Sequence, residues 1–134
     1  MSKNRNRAWR AMGVVTSLAT AAAIGFIAPA QAGSTAQLNA YVSDGWGGGT
    51  ITSSPAGINC HTVAWDPYAG DPSPSPTGTC TASFPVGTTV HFTATADPGS
   101  YVNIPPDPNP VTVRDGYNYT GVVFCPNDGL CSAG

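Results

Sequence analysis

Glutamate is absent from this 134-residue chain, and its one lysine, Lys3, lies at the extreme N-terminus. Arg5, Arg7 and Arg10 accompany it there. Beyond residue 32 the sole lysine or arginine is Arg114, set against Asp44, Asp66, Asp71, Asp97, Asp107, Asp115 and Asp128, a net charge near −6. Nucleic acid is excluded as a partner, because nothing remains to neutralise phosphates. An anionic lipid surface is excluded on the same ground. Windows long enough for a helix are also missing, since Pro, Gly and Thr interrupt almost every one. So are the recognisable catalytic signatures: there is no GxSxG, no HExxH, no P-loop and no histidine pair at metal-ligand spacing. A Ser-His-Asp set can be assembled on paper from any such composition, because its members meet in space. Without a nucleophile elbow, and with little room for a pocket, the chain reads as non-enzymatic and without a cofactor.

What is present begins with the first 32 residues. The basic start, the apolar run Val14–Ile27 and the small-x-small ending Pro29-Ala30-Gln31-Ala32 make a secretory signal peptide, with cleavage expected after Ala32. The alternative is an uncleaved anchor, but the run is short for the roughly 20 residues a span needs. No paired arginines precede it, which favours the general secretion route over the twin-arginine one. No cysteine sits at the cleavage site, which argues against a lipoprotein. The expected location is therefore extracellular, cell-surface association included, with no membrane contact after cleavage.

Residues 33–134 are short for a useful core and contain 26 glycines and prolines, a share at which disorder becomes a fair reading. Alternating runs argue otherwise. In Thr88–Ala96, Val90, Phe92, Ala94 and Ala96 share one side, with His91, Thr93 and Thr95 on the other; Cys80, Ala82 and Phe84 alternate with Thr81 and Ser83. This is the period of strands with one buried and one wet face. The turn residues Pro85-Val86-Gly87 between these runs predict a β-hairpin with Phe84, Val90, Phe92 and a cystine sulfur inside. Asp97-Pro98-Gly99 fits a type II turn, with Gly99 at the positive-φ corner. Further strands are expected at Leu38–Val42, Thr50–Ser53, Tyr101–Asn103, Val111–Val113 and Tyr117–Cys125, the last two joined as a hairpin by Asp115-Gly116. Two proline-rich segments, 71–76 and 104–110, should be extended and polyproline-like, without ladder hydrogen bonds.

The expectation is thus an all-β domain, a small antiparallel sheet of β-grasp-like or sandwich-like form with no long helix. It covers 38–134, with a loose leader at 33–37 and an insert at 61–79. Turns recur roughly every ten residues, as in sandwiches and rolls. The four cysteines, an even number in an exported chain, imply cystines, with three pairings open. Nearest-neighbour pairing, Cys60–Cys80 and Cys125–Cys131, is preferred. Closing those loops would contribute roughly 3 and about 2.4 kcal/mol in the chain-entropy picture, comparable to the net stability of a domain this size.

The stretch Gly49–Cys60, with Ser53-Ser54-Pro55-Ala56-Gly57-Ile58-Asn59-Cys60 at its end, resembles the opening of internalin-B-repeat-like bacterial repeat domains. Cys80–Val90, with Phe84-Pro85-Val86-Gly87, and Thr93–Ser100 resemble their middle, and Cys125…Cys131 their closing pair. The resemblance covers about half of the chain after residue 32. It implies a β-grasp-like module of an exported bacterial protein, a spacer or adhesive unit without catalysis, and it supports the two local disulfides. Here, however, 19 residues separate the first two cysteines, where the family has only a few. Gly121-Val122-Val123-Phe124 stands where the family tends to carry a Gly-Trp step. The family's strand after the last cysteine is absent, so a sheet edge is expected to stay open and pair with another chain.

Trp46, Trp65 and Tyr68 form the candidate binding surface, flat rings on Gly/Pro-rich loops that can stack on sugars or anchor a protein. The competing expectation for Trp65 is that it folds back over an undersized core. His61 and His91 read as ordinary surface histidines rather than a shared metal site. Asp66…Asp71 and Asp107-Pro108-Asn109 read as turn chemistry rather than a calcium loop, since no glutamate exists to close one. Asn118-Tyr119-Thr120 fits a glycosylation acceptor only incidentally, because the signal peptide is of bacterial type. The leading reading is a secreted, non-catalytic structural or binding module whose partner is cell-wall polymer, carbohydrate or another protein. The alternatives are an inhibitor of a protease or glycosidase, presenting the pinned loop Pro126–Leu130, and a small-ligand carrier.

Overall fold

The computed structural model describes residues 33–43, 45–70, 72–129 and 131; the expected signal peptide and its cleavage point lie outside them. Nine strands and no helix occur among the described residues: β1 (Thr35–Ser43), β2 (Gly49–Ser54), β3 (Asn59–Thr62), β4 (Thr77–Thr79), β5 (Thr81–Pro85), β6 (Thr89–Ala96), β7 (Ser100–Asp107), β8 (Val111–Thr112) and β9 (Asn118–Pro126). They form a four-stranded sheet in the order β5-β1-β9-β7 and a five-stranded sheet in the order β4-β3-β2-β6-β8. Neighbours run antiparallel throughout except β1 and β9, which pair in parallel. All-β is therefore the architecture, in its sandwich form.

Period-two alternation places the core. Leu38 and Ala40 of β1, Phe84 of β5, and Val122 and Phe124 of β9 face Ile51 of β2, Cys60 of β3, Val90 and Phe92 of β6, and Val111 of β8 in one cluster. Each large apolar side chain removed from water contributes about 1.5–3 kcal/mol. The opposite face of the five-stranded sheet is hydroxylic and almost uncharged. Thr50 stands level with Thr95 on one side and His61 on the other, with Thr77 beyond; Thr52 is level with Thr93 and Asn59.

Both expected hairpins are corrected. β5 pairs with β1, Phe84 opposite Ala36, whereas β6 pairs with β2 and β8 in the other sheet. The turn between them exists, with Gly87 at φ +92° and the Thr88 amide donating to the Pro85 carbonyl at 3.1 Å. It carries the chain from one sheet to the other, so Phe84 and Phe92 enter the core from different sheets rather than from one hairpin. β8 and β9 are likewise in different sheets, and Arg114-Asp115-Gly116 crosses between them. Buried Asn118 holds that crossing: its Nδ2 donates to the carbonyls of Arg114 (2.8 Å) and Gln37 (3.1 Å), and its Oδ1 accepts from the Arg114 amide. An asparagine so engaged is no glycan acceptor. Apolar alternation dictates which face of a strand is buried and leaves its partner open.

Three boundaries also move. Thr35–Gln37, expected as a loose leader, belong to β1 and pair with Pro85, Phe84 and Ser83. The expected insert shrinks to residues 63–76, because His61 and Thr62 finish β3 and Thr77–Thr79 pair with it as β4. Residues 104–107 of the second proline-rich segment are strand, at the end of β7. Register shifts flank Ile104, and the prolines are tolerated because β7 is an edge. The Asp97-Pro98-Gly99 turn is as expected, with Gly99 at φ +86° and the Ser100 amide donating to Asp97 O at 3.0 Å. Both disulfides are Cys60–Cys80 and Cys125–Cys131.

Candidate binding cleft

Three loops meet at the end of the sandwich where β9 finishes. The first, Gly45-Trp46-Gly47-Gly48, lies directly against β9. The Gly47 amide donates to the Phe124 carbonyl at 3.0 Å, and a Cβ on Gly47 would stand 2.5 Å from the Cys125 carbonyl carbon. A Cβ on Gly48 would stand 2.6 Å from Asp97 Oδ2 and 2.8 Å from the Ala64 nitrogen. Only glycine fits at these two positions. Between the glycines, Trp46 takes φ +70°, a left-handed conformation that a bulky side chain rarely adopts and that surrounding structure must hold.

The second loop follows β3. The Trp65 amide donates to the Trp46 carbonyl at 3.1 Å, joining the two loops by backbone. Asp66 Oδ1 accepts from the Tyr68 amide at 2.8 Å and the Asp66 carbonyl from the Ala69 amide, an Asx turn that fixes the loop after Trp65. The Tyr68 ring meets the Trp46 ring edge-on, centroids 5.9 Å apart and planes at 77°. The third loop leaves β9 at Pro126 and is tied back by Cys125–Cys131.

Together they enclose a cleft of about 290 Å³. Trp46 and Trp65 line it, with Ala64, Asp66 and Pro67 from the second loop and Pro126 and Asp128 from the third. Two of the three aromatic residues singled out from sequence therefore share a surface, and Tyr68 buttresses one of them from outside the lining. Trp65 does not cover the core: it is half-buried, and the core cluster closes without it. Asp66, which the sequence reads as turn chemistry, and Asp128, read as part of an inhibitory loop, both line the cleft, from different loops. Their meeting across the cleft had no signal in the sequence beyond both neighbouring a proline-bearing, pinned loop.

The remaining candidates lie elsewhere. His61 is level with Thr50 and His91 with Ser54, so four residues of β2, roughly 13 Å, separate them. His61 Nε2 instead meets Asp97 Oδ2 at 2.8 Å, bracing β3 against the β6–β7 turn. Asn109 serves as a strand substitute: its Oδ1 accepts from the Phe92 amide and its Nδ2 donates to the Phe92 carbonyl, both at 2.9 Å. Among the described residues no three His, Cys, Asp or Glu side chains gather to hold a metal ion. Asp44, Asp71 and Leu130 lie outside the described residues.

Chemically the cleft offers indole, pyrrolidine and carboxylate groups, and among the described residues its lining contains no histidine, hydroxyl or thiol. Apolar faces of a flat ligand can stack on the walls, while its donors reach the carboxylates. No protein-family model, no curated protein and no solved structure matches this chain.

Proposed function

We propose that this chain is a secreted, non-catalytic module that holds a carbohydrate, part of an extracellular or cell-wall polymer, in the Trp46–Trp65 cleft. The observation that carries the reading is the convergence of two indole rings and two prolines on one cleft of about 290 Å³. That is room for a sugar unit or two rather than for an enclosed drug-sized ligand. Trp46 held at φ +70° between glycines supports a positioned rather than incidental ring. Disulfides support an oxidising compartment, and the resemblance at Gly49–Cys60 and Cys80–Val90 supports an exported adhesive unit. Pro126 and Asp128, from the loop that suggests an inhibitor, line the same cleft, which favours the sugar-binding reading over that alternative.

The test is binding of the oxidised chain to a panel of soluble oligosaccharides and insoluble wall polymers, followed by tryptophan fluorescence. Trp65→Ala should weaken the best ligand at least tenfold, about 1.4 kcal/mol, with unchanged melting, and the glycan should be recovered uncut. A panel with no binder, affinity indifferent to Trp65, or release of shortened products would sink the reading.

A further inference from the structure

Resting on that reading, the aromatic surface beside the cleft narrows the shape of its occupant. We infer that the polymer is a coiled, uncharged glycan of the amylose or laminarin type, and that Tyr68 takes the sugar next to the one in the cleft. The cleft has room for a sugar unit or two, so a longer chain must leave it. Pro67 lines the cleft, and Tyr68 follows it directly, outside the lining. At 75% exposure Tyr68 is the most exposed large apolar side chain among the described residues. A lone exposed ring needs no explanation, but this one is neither alone nor loose. Asp66 Oδ1 accepts from its amide at 2.8 Å, and its ring meets Trp46 with centroids 5.9 Å apart. Ordering a side chain costs conformational entropy, and here little burial offsets that cost. What the arrangement supplies is a second stacking ring, set from the first by close to the length of one sugar unit.

The planes of the two rings set the shape. They stand at 77° to each other, and a sugar stacks by laying its C–H face flat on an aromatic ring. A chain that stacks on both must turn its sugar faces through nearly a right angle between them. Cellulose- and chitin-type linkages do not: their bonds leave each ring equatorially, alternate units flip over, and successive faces stay parallel in a flat ribbon. Amylose- and laminarin-type linkages rotate each face relative to the last, and the chain coils. Charge limits the class further. Among the described residues no lysine or arginine lines the cleft. The only one after residue 32 is Arg114, just before β9 begins at Asn118, whereas the cleft lies where β9 ends at Pro126. A polymer bearing carboxylate, phosphate or sulfate groups finds no cation there to pair with.

The probes are maltohexaose, laminarihexaose, cellohexaose and chitohexaose, titrated into the oxidised chain with tryptophan fluorescence as the readout. At least one of the coiled hexamers should bind about tenfold tighter than either flat one. Tyr68→Ala should remove that advantage, and Tyr68→Phe, which keeps the ring, should retain it. The matching disaccharide, short enough for the cleft alone, should bind the chain and Tyr68→Ala equally well. Melting should not change, because the Tyr68 amide and not its ring closes the Asx turn. A flat hexamer bound as tightly as the coiled ones, or a preference that survives Tyr68→Ala, overturns the inference while leaving carbohydrate binding standing. An equal loss for disaccharide and hexamer in Tyr68→Ala also overturns it, since the ring would then only prop Trp46. If no hexamer binds, the inference falls. A glycan of the wider panel that binds through Trp65 would then leave the function standing, and failure of every glycan would remove that as well.

Discussion

The two disulfides close loops of different size, with separations of 20 and 6 residues, and their surroundings differ more than their sizes. Cys60 is fully buried in β3, level with Ile51, and is part of the core cluster. Its partner Cys80 lies where the chain leaves β4 in one sheet for β5 in the other, and the Cys80 carbonyl accepts from the Ala40 amide of β1 at 2.8 Å. This bridge therefore ties sheet to sheet through the core. Cys125 is as deeply buried, but at the exit of β9 beneath Gly47 and outside the core cluster. Its bridge pins the loop that gives the cleft Pro126 and Asp128. One cystine joins the two sheets and the other pins a loop that lines the cleft.

The comparison breaks most readily at the first bridge. Cys60→Ala with Cys80→Ala should cost roughly 3 kcal/mol from loop closure alone, lowering the melting temperature by about 12–24 °C at the 4–8 °C per kcal/mol usual for a domain near 100 residues. Thermal melting by circular dichroism checks it. A loss under about 1 kcal/mol would mean that the core does not depend on that cystine.

Cys125→Ala with Cys131→Ala should cost less in stability, no more than about 2.4 kcal/mol, and more in function. Freed from Cys131, the third loop no longer holds Pro126 and Asp128 against Trp46 and Trp65, so glycan affinity should fall at least tenfold in protein that remains fully folded. Equal affinity before and after, by titration, would show that the cleft needs only its first two loops.

Burial was the legible part of this chain. Leu38, Ile51, Phe84, Val90 and Phe92 lie inside as their alternation requires, because a period of two reports directly which side chains leave water. Strand partnership was not legible. Pro85-Val86-Gly87 makes the same tight turn whether it returns a strand beside its predecessor or sends it to the facing sheet, and only the competition of β1 for β5 decides. Proline at 105 and 106 argued against strand, and the argument failed because an edge need not donate on both sides. In the cleft, Trp46 and Trp65 could be read as rings on glycine- and proline-rich loops. Asp128 and Pro126 could not, since their place follows from where β9 ends, and that end is set by long-range pairing with β1 and β7.

A gain on β9 itself separates stability from site. Thr120 is fully buried on the core face of β9, and its hydroxyl has no hydrogen-bond partner among the described residues. Replacing a buried unpaired hydroxyl with a methyl removes a penalty of about 1 kcal/mol. Thr120→Val should raise the melting temperature by about 4–8 °C. Placed in the Cys125→Ala, Cys131→Ala background, it should restore much of the lost melting temperature and none of the lost affinity. Recovery of both would mean that the second bridge acts only through global stability.

The smallest effect reports on the distant end of β9. Tyr117, just before that strand begins, shares a hydrogen bond with Tyr41 of β1, their hydroxyls 2.5 Å apart, and stacks on Tyr119 at 5.5 Å. That bond holds the Tyr117 phenol above its ordinary pKa of about 10, with lesser contributions from desolvation and from the neighbouring phenols. The folded state thus prefers the neutral phenol. Its contribution is complete below pH 10 or so and is lost as pH rises through the raised folded value. Ultraviolet titration should show one tyrosine ionising late, and Tyr41→Phe should bring it back toward the ordinary range. Removing the Cys125–Cys131 bridge should leave that late ionisation in place, because the loop it frees lies at the other end of β9. Removing Cys60–Cys80 should erase it only above that variant's lowered melting temperature, because Tyr41 and Tyr117 belong to one sheet. If the two variants titrate alike at a temperature between their expected melting points, the bridges are not the separate devices their surroundings imply.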